Sequence, residues 1–221
     1  MDILEAIRER KSVRGFRPDP VPKEVIAAVL RAAGRSPSSR NTQPWEITVV
    51  AGEPLDNIRQ ENVESLYLEG RINPDISTER YTGRFRERQR ELAKQLFGLL
   101  GIAREDMEGR YRWQERGLRF FDAPVALIMA CDSSLDRLRS QFDLGCVTQT
   151  ICLAALASGL GTCIEDAGVT YIDVIRKHTG IPESKRVVIG VALGYPDPDY
   201  PANRLATPRE KLENMSTWLG F

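Results

Sequence analysis

Ser36-Pro37-Ser38-Ser39-Arg40-Asn41-Thr42-Gln43-Pro44-Trp45 is the stretch from which the rest of this chain is read. Two prolines, three serines, an Asn, a Thr and a Gln are crowded into one short loop. Upstream, Val25, Ile26, Val29, Leu30 and Ala33 recur at helical spacing; downstream, Ile47 to Val50 read as a strand. A plain connector between a helix and a strand needs no such density of hydrogen-bonding groups. Pro37 and Pro44 fix their own φ and steer Ser36 and Gln43 toward extended backbone. The side chains of Ser38, Ser39, Asn41 and Gln43 can then offer donors and acceptors to a planar polar ligand. The same residue types also build capped turns, so the loop alone leaves both readings open.

The chain has 221 residues, 42% of them hydrophobic, enough for one domain with its own core or a core completed by a partner subunit. Thirty-one Lys and Arg balance thirty-one Asp and Glu, which argues against a general nucleic-acid surface. The charged start, Met1 to Arg10, lacks the apolar run of a signal peptide, and no apolar run is long enough to span a bilayer. Cys131, Cys146, Cys152 and Cys163 have neither metal-site spacing nor disulfide density. Reduced, mostly buried thiols in a cytoplasmic protein are expected.

Along the chain, Asp2 can cap a short helix whose Ile3, Leu4 and Ile7 share a face. In Arg10-Lys11-Ser12-Val13-Arg14 an extended backbone would point Arg10, Ser12 and Arg14 the same way, a plausible phosphate grip or a solvated basic turn. Pro22 suits the start of the next helix. From Gly52 to Arg119 the sequence reads as charged helix, broken at Asn73-Pro74-Asp75, with Arg84, Arg86, Arg88 and Arg90 as a solvated face. Tyr67, Tyr81, Phe85 and Trp113 are expected to pack rather than line a cavity. Val125 to Ala130 reads as a buried strand, and Gln141 to Ser158 as a helix apolar nearly all round, destined for a large core or a dimer interface. Gly159-Leu160-Gly161 ends that helix, so it is no dinucleotide fingerprint. Thr170 is a candidate cap for a helix over Tyr171 to His178, and Arg186 to Leu193 is a third strong strand.

The single histidine, His178, stands in the last turn of its helix, where it suits the dipole. Without it no Ser-His-Asp set can be assembled, and neither a GxSxG elbow nor a phosphate-binding P-loop is present. Glu165 and Asp166 are adjacent, which in a strand points them apart and weakens a paired-carboxylate mechanism. A chain with anion and amide grips but no reactive machinery of its own points to a borrowed cofactor.

These residues carry a resemblance. Pro37-Ser38-Ser39-Arg40-Asn41-Thr42-Gln43-Pro44-Trp45 is similar to the most recognisable loop of the FMN-dependent nitroreductase family. Arg10-Lys11-Ser12-Val13-Arg14 resembles the family's opening motif, with Lys11 in place of its second Arg. Phe120-Phe121-Asp122-Ala123-Pro124-Val125, Asp143-Leu144-Gly145, Gly159-Leu160-Gly161-Thr162-Cys163 and Arg186-Val187-Val188-Ile189-Gly190 resemble later family segments.

The resemblance implies an α+β fold: a small mixed, mostly antiparallel sheet surrounded by helices, in an intertwined homodimer. Residues 1–221 would form one domain, with a divergent helical insertion or lid around 53–119. FMN would lie at the dimer interface, with NADH or NADPH as transient co-substrate. Arg10, Lys11, Ser12, Arg14 and Arg209 would hold its phosphate, with Arg204 a second candidate. Pro37, Ser38, Ser39 and Asn41 would contact the ring system, and the backbone of Ile164, Glu165, Asp166 and Ala167 would face flavin N5. Arg84, Arg86 and Arg88 are candidates for the cation facing N1 and O2. The implied reaction is ping-pong: hydride from NAD(P)H to the flavin, then reduction of a small-molecule acceptor, nitroaromatic or quinone, over the same face. No residue of the chain need be catalytic, and neither metal, nucleic acid nor membrane is implied. Related chemistries (dehalogenation, enone reduction, flavin breakdown) or a flavin-binding module without turnover would use the same site.

Overall fold

Val125 to Asp132 forms the strand on which the other elements are layered, with all but its last residue buried. The structure, a computed structural model, describes residues 2–68, 72–76 and 80–221. In chain order it comprises α1 (Ile3–Glu9), α2 (Lys23–Ala33), β1 (Glu46–Ala51), α3 (Glu53–Tyr67), α4 (Gly83–Leu99), α5 (Met107–Leu118), β2 (Val125–Asp132), α6 (Arg137–Ala157), β3 (Gly161–Glu165), α7 (Ile172–Thr179), β4 (Lys185–Gly194) and α8 (Leu212–Met215). Single 3-10 turns lie at Ser39–Asn41, Phe120–Asp122, Ala167–Val169 and Pro201–Arg204.

The strands form one sheet in the order β1-β2-β4-β3, and each pairing is antiparallel. The parallel element of the expected mixed sheet is the isolated bridge between Ser12 and Thr162, on the far side of β3. Because β2 is central, its alternating side chains feed two cores. Ala126, Ile128 and Ala130 join Leu55, Ile58, Phe120 and Ile175 on one face; Val125, Leu127, Met129 and Cys131 join Val29, Leu144, Val147 and Ile151 on the other. Helices α3, α5 and α7 thus cover one face, and α2 and α6 the other, which is why β2 reads as a continuous apolar run.

Of the expected insertion over 53–119, α3 and α5 supply core residues (Leu55, Ile58, Leu118), whereas α4 buries only Leu96. Residues 69–71 and 77–79 of that stretch lie outside the described residues. Arg84, Arg86, Arg88 and Arg90 are exposed, as their pattern predicts. Trp113 packs against Phe121 at 5.6 Å between ring centroids, while Tyr67, Tyr81 and Phe85 are more than half exposed.

Helix ends follow local chemistry with one correction. Asp2 begins α1, where its backbone N–H donates to Glu5 at 3.2 Å. Gly180 closes α7 in the left-handed region with φ 71°. The N-cap position of α7 is Tyr171 rather than Thr170, and the Ile172 N–H is taken by Oδ1 of Asn73 at 3.1 Å. A residue from a distant loop therefore does the capping that a local side chain was expected to do. His178 lies in the last turn, 2.9 Å from Glu61.

Among the described residues, apolar faces on α1 and α6 remain uncovered. Ile3, Leu4 and Ile7 on α1 are each at least half exposed, and on α6 Leu138 and Phe142 are 78% and 75% exposed. The C-terminal segment adds Trp218, Leu219 and Phe221. Among the described residues no helix is long and apolar enough to cross a membrane.

Candidate functional site

The segment after α1 runs beside β3, the edge strand of the sheet. Ser12 bridges Thr162, and the Val13 N–H donates to the Thr162 carbonyl at 2.9 Å. Val13 is buried, and Gly161 makes room for it: a Cβ there would lie 2.6 Å from Val13 Cγ2. Ser12 and Arg14 act on the Cys163 thiol, yet burial dominates and pushes it up to about 11. Cys152, near Arg10, is likewise raised by burial. Both thiols therefore stay protonated and unreactive.

Asn203 fastens this segment to the C-terminal tail. Its Oδ1 accepts from the N–H groups of Arg14 (2.7 Å) and Gly15 (3.2 Å), and its Nδ2 donates to the carbonyls of Gly15 (2.7 Å) and Asp197 (2.8 Å). Arg116 donates to the Arg14 carbonyl at 3.2 Å and stacks over Tyr200. The result is a cavity of about 310 Å³ in which Arg10, Lys11 and Arg204 converge with Thr162 and Asn203, three cationic side chains against the two carboxylates of Glu9 and Asp197. Arg10 and Arg204 are 194 positions apart in sequence and share this one wall-to-wall site.

The loop over residues 36–45 (the opening loop) is held by contacts on its inner side. Ser36 donates to Thr150 at 2.7 Å, and the Ser39 N–H lies 3.1 Å and 3.2 Å from the two oxygens of the buried Asp143 carboxylate on α6. Arg40, Asn41 and Gln43 adopt φ of 52°, 59° and 48°. The extended geometry expected of Gln43 ahead of Pro44 is thus not what its φ shows; the Ser38 hydroxyl accepts the Gln43 N–H at 2.9 Å and holds the turn. Left-handed non-glycine residues cost ~1–3 kcal/mol each and concentrate where a backbone must be presented in one shape. Pro37, Ser38 and Ser39 line a cavity of about 540 Å³ together with Leu138, Phe142 and Asp143, while Asn41 is exposed and does not line it.

Ile164 to Ala167 forms the end of β3 and the turn beyond it. Ile164 is 42% exposed, whereas the Glu165 side chain turns inward, its Oε2 accepting the Gly168 N–H at 2.8 Å. Glu165 Oε1 is sealed from solvent with no hydrogen-bond partner among the described residues. Burial, with a smaller contribution from Asp166, raises this carboxyl to about 8. The strand ends at Glu165, so Asp166 lies in the turn beyond it. Three residues of strand, ~10 Å, separate Thr162 at the cationic cavity from Glu165.

Arg209 lies elsewhere in the protomer. It donates to Thr207 and Pro208 and lines a cavity of about 650 Å³ with Arg88, Glu210 and Met215 along α4. Of the candidates on α4, Arg88 pairs with Glu210 and Arg84 stacks on its neighbour Phe85. One chain therefore brings together Arg10, Lys11 and Arg204, and separately Pro37, Ser38 and Ser39, but not Arg209 with either set.

Sequence reading missed Asn203, Asp143 and Arg116. Asn203 was one Asn in a Pro-rich tail, and nothing local marks the distant N–H groups it satisfies. Asp143 had a readable signal, a carboxylate within an otherwise apolar helix, since a buried charge requires a donor set.

A family model described as the nitroreductase family matches residues 7–195. The chain is 36% identical to a chloronitrobenzene nitroreductase of Comamonas testosteroni, with 98% of this chain and 96% of the relative covered. It is 37% identical to a nitrobenzene nitroreductase of Ectopseudomonas oleovorans, over 98% and 96% of the two chains. Its fold superimposes with a TM-score of 0.94 and 30% identity on the FMN and NADPH-dependent nitroreductase NfnB from Sphigopyxis sp. strain HMH, covering 100% of both chains.

Proposed function

The chain belongs to the nitroreductase family, and from that premise we propose that it is an FMN-dependent oxidoreductase that uses NADPH or NADH to reduce nitroaromatic or quinone-type acceptors. The observation that carries the reading is the cationic cavity, where Arg10, Lys11 and Arg204 converge beside the edge strand that ends at Ile164–Ala167.

The residues fit the cofactor. A phosphate dianion requires charge-assisted donors, and two guanidiniums with an ammonium supply them. From there β3 leads to a backbone turn beside a sealed carboxyl oxygen. When bound, FMN supplies the chemistry, accepting hydride from the nicotinamide and passing two electrons to the acceptor. The chain supplies placement. Arg10, Lys11 and Arg204 would anchor the phosphate, with Ser12, Arg14 and Arg209 as further candidates. Pro37, Ser38, Ser39 and Asn41 would meet the ring, and the Ile164–Ala167 backbone would offer N–H groups to its edge.

The site is completed by a second copy of the chain. The uncovered Leu138 and Phe142 line the same cavity as Pro37, Ser38 and Ser39, and covering them removes apolar surface from water at ~25 cal/mol per Å². A homodimer would set one copy's opening loop against the other's N-terminal segment, closing a cleft that no single copy forms. The test is direct: the purified protein should be yellow, bleach on adding NADPH or NADH without oxygen, and recover colour on adding nitrobenzene. A colourless protein that takes up no added FMN refutes the proposal.

A further inference from the structure

We propose that Glu165 is a positioning residue for the flavin: its buried carboxyl clamps the Glu165–Gly168 turn and exchanges a proton with solvent in step with the redox state of the cofactor. This rests on the FMN reading above.

The chain builds a seat for this carboxyl. Glu165 stands across from Gly190 in the β3–β4 pairing, and two glycines leave the space it fills. A Cβ on Gly168 would come within 2.7 Å of Glu165 Oε1 and 2.5 Å of the Phe120 ring; one on Gly190 would come within 3.0 Å and 2.8 Å of the same groups. Phe120 is fully buried and forms the wall. One carboxyl oxygen accepts the Gly168 N–H and so holds the turn, while the other is sealed from solvent and makes no hydrogen bond of normal geometry among the described residues. An unpaired charge in such a place is strongly disfavoured, so the oxygen left over is where a proton belongs.

Among the described residues the backbone N–H groups of Gly168 and Ala167 favour the charged form, but burial outweighs both, and no cation adds to them. On its own strand the Cys163 thiol is protonated, and Asp166 beyond the strand repels. From the Phe120–Asp122 turn, Asp122 is engaged by Arg116 (3.0 Å) and Arg119 (2.7 Å). From α3 the neutral Asn62 donates to the Gly168 carbonyl at 2.9 Å, from α5 Gly117 stands against Ala167, and β4 contributes Gly190. Among the described residues no ion pair reaches Glu165, and burial raises its carboxyl to about 8.

Two electrons delivered to the flavin with one proton leave net negative charge beside this turn. That charge strengthens the hold of Glu165 on its proton, so above the point where the oxidised protein begins to release it, reduction draws a second proton from solvent onto the carboxylate. The proton is regained by solvent when the acceptor removes the electrons.

The experiment is a potentiometric titration of the FMN-loaded protein from pH 6 to 10, for the wild type, Glu165→Gln and Glu165→Ala. Glu165→Gln should take up one proton per two electrons throughout, while the wild type should rise toward two above pH ~8. Coincident proton counts in the two proteins overturn the coupling. Gln keeps an acceptor for the Gly168 N–H and Ala does not, so FMN should bind Glu165→Ala about tenfold more weakly than Glu165→Gln. Equal affinities overturn the clamp. A wild type that binds no FMN refutes the functional reading itself and this inference with it, whereas a flavin-loaded protein with coincident curves refutes only the inference.

Discussion

Asn203→Ala should both destabilise the protein and release its phosphate grip. The side chain satisfies two N–H groups (Arg14, Gly15) and two carbonyls (Gly15, Asp197) in a residue only 6% exposed. At ~1 kcal/mol net for each bond, removal costs about 4 kcal/mol, and more if the stranded groups stay dry. Asn203→Asp keeps both acceptor contacts and loses both donor contacts, so it should cost about half as much, ~2 kcal/mol. Urea unfolding at one protein concentration measures the difference, with an unchanged slope indicating that folded-state contacts alone were lost. Because Arg14 and Gly15 lie within five residues of Arg10, the freed segment should also bind FMN at least tenfold more weakly in fluorescence titration. An Ala variant within 1 kcal/mol of the wild type, or one with unchanged FMN affinity, refutes the claim that Asn203 fastens the front of the chain to its rear.

Other predictions concern charge and surface. The folded Glu165 carboxyl titrates near 8, above the ordinary 4.5, so its favourable contribution is complete below pH 4.5 and is lost as pH rises to 8. Between pH 6 and 8 the wild-type apoprotein should lose ~2 kcal/mol relative to Glu165→Gln, and parallel urea midpoints across that window would contradict the burial argument. Asp132, held down to about 2 by Ser134 and then Lys185, works the other way and matters only below pH ~4, so it does not blur that window. Phe142→Asp should shift the protein to monomer in sedimentation and abolish FMN retention with its circular dichroism intact; a flavin-loaded dimer would show that this face is not the contact. Arg10→Ala should weaken FMN binding by about tenfold yet leave riboflavin, which lacks the phosphate, unaffected in the same titration.

How far the sequence could be read depended on whether the signal was local. The buried strand over 125–130 and the helix over 141–158 were legible because burial on one or all sides leaves an apolar pattern in the residues themselves. The opening loop was legible because its composition is specific, although its backbone was not: Gln43 departs from the geometry Pro44 suggests, since a hydrogen bond from its own N–H to Ser38 outweighs that preference. The cap of α7 was misread for a related reason, as Asn73 arrives from 99 positions away.

By itself the sequence pointed to the groups proposed for the site: an arginine-rich front, a Pro- and Ser-rich loop, and the backbone at the end of a short strand. It did so because side-chain chemistry and 2.0- or 3.6-residue periodicity are properties of neighbours along the chain. Only the tertiary structure decided that Arg204 joins Arg10 while Arg209 lies along α4, and that Glu165 faces inward to an unpaired seat. Those outcomes turn on which distant backbone groups find partners and which glycines leave space, and such contacts exist only once the sheet has brought residue 12 against residue 162.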